Sequence, residues 1–60
     1  MEWWVSVEGA GFIGNVWAPD QKQAHVAALA KYGKKGKRAH GLRRPEMMFI
    51  FEGDSFDVSL

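Results

Sequence analysis

Few side chains in this chain could carry out chemistry. His25 and His40 are the only histidines, cysteine is absent, and the seven carboxylates are scattered along the sequence. A protein metal centre needs several clustered ligands, and a covalent catalyst needs a nucleophile beside a base. Neither grouping is spelled out here, so no catalytic residue, metal ligand or cofactor is expected, and the chain does not read as an enzyme. His25 falls on a predicted helix surface or core edge, and His40 in a predicted loop. Asp54 and Asp57 lie on a predicted hairpin and read as turn-forming and solubilising residues.

One motif invites a stronger reading. Residues 5–14 spell a strand followed by G-x-G-x-x-G, like the phosphate loop of a dinucleotide site. That chemistry requires a helix beginning inside the glycines, so that its first N–H groups meet the pyrophosphate. Pro19 would end such a helix after about one and a half turns. The intervening residues favour strands, and no strand with an acidic residue follows about 20 positions later. The glycines are therefore expected to make a tight turn and, at Gly14, a gap opposite Val5.

Charge is the other chemical feature. Seven of the eight basic residues fall between Lys31 and Arg44, and no acidic residue lies between Gln21 and Pro45. Formal charge is −2 over residues 1–30, +7 over 31–44 and −4 over 45–60. Polarisation of this kind bears on partners rather than on fold. Lys34, Lys35, Lys37, Arg38, Arg43 and Arg44, interspersed with Gly36 and Gly41, suit either a nucleic-acid phosphate backbone or an acidic protein surface. Tyr32 and Leu42 add little aromatic interleaving, so base stacking is not expected there.

The elements that position these residues follow from periodicity. Trp3, Val5 and Val7 alternate with Trp4 and Ser6, which predicts a hairpin over 2–18 turning at Gly9-Ala10. With that two-residue turn, Val7 opposes Phe12, Val5 opposes Gly14 and Trp3 opposes Val16. Ser6 then opposes Ile13, and Trp4 opposes Asn15, on the other face. A helix over 20–33 follows, capped by Asp20 with Gln23 and closed by Gly33. Its stripe of Ala24, Ala27 and Ala28 lets it lie close on a sheet of large side chains. A basic connector over 34–45 leads to a second hairpin over 46–60, turning at Gly53-Asp54. That turn pairs Phe51 with Phe56, Phe49 with Val58 and Met47 with Leu60. The expected fold is α+β, a single ββαββ domain with a four-stranded, mainly antiparallel sheet and one helix packed on one face.

One helix covers only one face of such a sheet. The other is expected to carry Trp4, Ile13, Trp17, Met48 and Ile50, an apolar patch suited to a protein partner or to a homodimer. A chain of 60 residues without disulfides has a marginal core, so burial against a partner would add stability. No apolar run approaches the ~20 residues of a membrane span, and the N-terminus lacks a basic signal-peptide region. No membrane partner and a cytoplasmic location are expected. Met1 and the apolar Leu60 are expected to bound a complete small open reading frame.

Trp3-Trp4-Val5-Ser6-Val7-Glu8, then Val16-Trp17-Ala18, then a helix with Ala24, Ala28 and Tyr32 at matching intervals, resemble small phage-encoded inhibitors of bacterial RNA polymerase. The likeness covers about the first half of the chain. It implies a non-enzymatic regulator that binds a host protein or nucleoprotein complex stoichiometrically and inhibits or redirects it, with transcription foremost. The long basic connector and the second glycine-turned hairpin depart from that pattern, so no functional residue is carried over. The alternatives are direct nucleic-acid binding through the connector and a homo-oligomeric structural role.

Overall fold

The N-terminal alternation forms strand β1 (Glu2–Val7), followed by β2 (Gly11–Trp17), in a computed structural model that describes residues 1–39, 41 and 46–60. At its base the hairpin has the predicted register: Trp3 opposes Val16, Trp4 opposes Asn15 and Val5 opposes Gly14. At its tip it does not, because Ser6 opposes Phe12 and Val7 opposes Gly11. The connection holds three residues rather than two. Ala10 donates its N–H to the Val7 carbonyl at 3.0 Å, and Gly9 and Gly11 take φ of +87° and +80°, which other residues rarely adopt.

The longer loop shifts the tip by one residue, and a bulge beyond Val5 restores the register with Ile13 as the surplus residue. A one-residue shift exchanges the two faces of a strand. Ile13 therefore enters the core, 2% exposed, and Phe12 points to solvent, 57% exposed. This reverses the predicted placement of both.

Helix α1 (Gln21–Tyr32) begins where the Asp20 carboxylate accepts the Gln23 N–H at 2.8 Å. Gly33 ends it, though not through a left-handed turn, since its φ is −62°. Glycine is needed there for space: a Cβ would stand 2.3 Å from the Leu29 carbonyl oxygen that accepts the Gly33 N–H. Ala24 and Ala28 are fully buried, and the helix lies so close that the Tyr32 hydroxyl is 2.1 Å from where a Cβ on Gly14 would be. The gap at Gly14 is filled by that ring.

The predicted second hairpin is replaced by another arrangement. Residues Glu46–Met48 form a short 3-10 helix, and Ile50 makes a parallel bridge with Gly33. The Ile50 N–H donates to the Tyr32 carbonyl and its carbonyl accepts from Lys34, both at 2.8 Å. A tight turn at Phe51–Asp54 then releases β3 (Phe56–Ser59), which pairs antiparallel with β1 through Val7–Phe56 and Val5–Val58.

The fold is α+β, with one helix on a three-stranded antiparallel sheet of order β2-β1-β3, and no fourth strand among the described residues. Alternation assigns faces but not pairing partners. β1, whose Trp3, Val5 and Val7 all face the core, has two edges to satisfy, and β3 takes the second. Of the residues predicted to line the second hairpin's core face, Phe51 and Val58 are buried. Met47, Phe49 and Phe56 are half-buried, and Leu60 is 70% exposed.

Candidate functional site

Among the described residues, no element packs on the sheet face away from α1. Cross-strand partners share a face, so Glu2 stands with Trp17, Trp4 with Asn15 and Ser59, and Ser6 with Phe12 and Asp57. Trp4, Phe12 and Trp17 are 41%, 57% and 72% exposed. The rings of Trp4 and Phe12 meet at 5.5 Å between centroids, tilted by 56°. Trp17 also borders a shallow apolar groove against α1, lined by Val16, Ala27, Ala30 and Lys31. Along the strands, Glu2 precedes Trp4 by two residues and Asn15 precedes Trp17 by two. The four residues thus form a square with the indoles on one diagonal. On the other, the Asn15 amide donates to Glu2 Oε2.

Two of the five residues predicted for this face, Trp4 and Trp17, lie on it. Ile13 and Ile50 are in the core at 2% and 3% exposure, and Met48 is half-buried against that core. For Ile13 the cause is the bulge. For Ile50 and Met48 it is the loss of the second hairpin, which brings their segment to the end of α1. Phe12 replaces them on the face. The signal that could have found it is the Gly9-Ala10-Gly11 spacing, which permits a three-residue loop as readily as a two-residue turn.

The sheet edges are less available than the face. On β3, the Val58 carbonyl accepts from the Gln21 side chain at 3.1 Å. On β2, the Asn15 N–H donates to the Tyr32 hydroxyl at 3.1 Å, and the Asn15 carbonyl accepts from Tyr32 Oη at 3.1 Å and from Lys31 Nζ at 3.0 Å. An incoming strand would meet backbone groups that α1 has already capped, which is how edges are kept from pairing.

The basic connector divides into parts with different roles. Lys35 and Lys37 are exposed, and Lys34 holds its Nζ 4.7 Å from the Phe49 ring centroid. Arg38, predicted as a contact for phosphate or an acidic partner, instead turns inward. Its guanidinium lies 5.0 Å from the Phe51 ring centroid, donates to the Phe49 carbonyl at 2.7 Å and to the Met47 carbonyl at 3.3 Å, and pairs with Asp54 at 3.0 Å. Arg43, Arg44 and His40 lie outside the described residues.

Asp54 also accepts the Phe51 N–H at 2.8 Å, closing its own turn. Burial pushes the Asp54 carboxyl up. The Arg38 hydrogen bond, the Phe51 N–H and the Arg38 charge outweigh it and hold the pKa below its ordinary 3.8. This pair joins residues 16 apart in sequence, and no local pattern announces it.

The remaining sequence candidates have structural places. Gly9 and Gly11 shape the hairpin tip, and Gly14 lies under Tyr32, so no helix starts inside the glycine motif. His25 stacks on Phe56 with 4.2 Å between centroids and 22° between planes. Among the described residues, no group of three histidines or carboxylates could hold a metal ion, and no helix is long and apolar enough to cross a membrane. No protein family, curated protein or solved structure matches the chain.

Proposed function

We propose that this chain is a non-enzymatic binding protein that attaches to a partner protein through its uncovered sheet face. The observation that carries this reading is the exposure of Trp4, Phe12 and Trp17 together on one face of so small a sheet, where contiguous aromatic surface otherwise costs solubility. Aromatic side chains supply large contact area at low conformational cost and dominate binding hot spots. The resemblance of the N-terminal half supplies the partner class: a host macromolecular machine that the chain inhibits or redirects in the host cytoplasm, with bacterial RNA polymerase foremost.

The test is binding to purified bacterial RNA polymerase, measured by calorimetry for the natural chain and for Trp4→Lys with Trp17→Lys. Saturable one-to-one binding that the double substitution weakens at least about a hundredfold is expected, since two hot-spot aromatics each contribute roughly 2 kcal/mol or more. Binding that the substitutions leave unchanged refutes the assignment of the face.

Nucleic-acid binding keeps a place as a second reading because Lys35 and Lys37 are exposed. It predicts affinity for duplex DNA or RNA that falls steeply between two salt concentrations. A homodimer predicts sedimentation as a dimer and conversion to a folded monomer by the same double substitution.

A further inference from the structure

We infer that the uncovered sheet face is a receptor for cationic side chains, and that its partner presents arginine from a basic segment of protein. The inference rests on the reading of this face as the contact surface, and it adds the chemistry that the face selects.

Trp4 and Trp17 stand at opposite corners of the square, with the Glu2 carboxylate between them and pinned by the Asn15 amide. A carboxylate held on the same face as two exposed tryptophans, one across the strands from it and one two residues along, is an arrangement that a guanidinium can satisfy. Its plane stacks on an aromatic ring while its N–H groups donate to the acid. Trp is the strongest of the aromatic cation receptors, and an acid already fixed in place costs little further ordering on binding.

Charge on the rest of the face agrees. Among the outward side chains of the three strands, the charged ones are Glu2 and Asp57, both acidic, and Glu8 stands exposed at the adjoining turn. The exposed lysines of the connector belong to a different part of the molecule, beyond the C-terminal end of α1. A phosphate backbone laid on this face would set its charges against those acids, and the base at the β2 edge, Lys31, already donates to the Asn15 carbonyl at 3.0 Å. A second copy docked face to face would oppose acid to acid, because a two-fold contact presents the same patch from both sides. A basic protein segment meets neither objection.

The full chain labelled with nitrogen-15 provides the test through its three indole N–H signals. Trp3 is an internal control, because its indole N–H is buried and donates to the Ala18 carbonyl at 3.0 Å. The probes are a short capped peptide of alternating glycine and arginine and the same peptide with citrulline, which keeps the shape of arginine and removes its charge. The arginine peptide is expected to shift the Trp4 and Trp17 signals saturably at millimolar concentration and to leave Trp3 unmoved. The citrulline peptide is expected to shift none. Glu2→Gln should weaken the arginine peptide roughly fivefold, as loss of one exposed cation contact does.

Equal response to both peptides, no response of Trp4 and Trp17, or unchanged affinity in Glu2→Gln overturns the inference. Should the peptide fail while Trp4→Lys with Trp17→Lys still abolishes polymerase binding, the cation receptor falls and the contact face stands. If the double substitution leaves polymerase binding intact, the contact face itself falls.

Discussion

Gly14 and Tyr32 depend closely on one another. The Tyr32 hydroxyl both accepts from and donates to the Asn15 backbone, and it does so by occupying the space a Cβ on residue 14 would need. Gly14→Ala must displace the ring or the strand, and is expected to lower unfolding free energy by about 1–3 kcal/mol in urea titration. Tyr32→Phe keeps the packing and loses only the hydroxyl's bonds, for about 1 kcal/mol. Asp54 is the other residue on which a distant segment depends. Its folded pKa lies below the unfolded value, so the folded state holds the proton less tightly and the stabilisation is present above about pH 4. That stabilisation is lost as pH falls through the lowered folded value. Asp54→Ala is therefore expected to cost roughly 2–4 kcal/mol at neutral pH, leaving Arg38 without its partner. The difference from the natural chain should narrow in thermal melts taken well below pH 4.

At the scale of elements, the hairpin illustrates how a loop decides a face. A two-residue turn and a three-residue loop with a bulge agree at the base of β1 and β2 and disagree at the tip, where they exchange Phe12 and Ile13. Ile13→Ala is accordingly expected to destabilise by about 2–4 kcal/mol, the range for a buried aliphatic truncation. Phe12→Ala should cost about 1 kcal/mol or less, the loss of a half-exposed contact with the Trp4 ring. Chemical denaturation of the two variants decides the register, because the two-residue turn predicts the opposite order. The helix was legible because its signals are local: the Asp20 cap, the run of alanines and the glycine after Tyr32. The partner of β3 was not legible, because Phe56–Ser59 alternates identically whether it pairs with the segment before it or with β1.

Across the whole molecule, residues 34–38 and the 46–54 segment bond to one another, while the aromatic face of the sheet stays exposed. Arg38 binds the Asp54 turn, Gly36 donates its N–H to Glu52, and Glu52 returns its own N–H to the Gly36 carbonyl at 2.9 Å. Part of the +7 segment thus serves cohesion, which a count of charges along the chain could not distinguish from a binding surface. Because Trp4 and Trp17 contribute to the open face rather than to the core, Trp4→Lys with Trp17→Lys should retain a cooperative thermal transition within a few degrees of the natural chain. A melt of the double variant by circular dichroism checks this and makes its binding data interpretable. An unfolded variant would place those rings in the core instead.

Taken by itself, the sequence determined the class of fold, the start and end of the helix, the base of the hairpin and two of the three aromatic residues on the open face. All of these rest on periodicity and capping within a few residues. Only the tertiary structure decided that β1 is the central strand, that Phe12 rather than Ile13 faces solvent, and that Arg38 is an internal clasp. Those outcomes depend on which distant backbone or charge is nearest in space. A one-residue difference in loop length, or a competition between two strand edges, settles such matters through packing that alternation and charge along the chain do not encode.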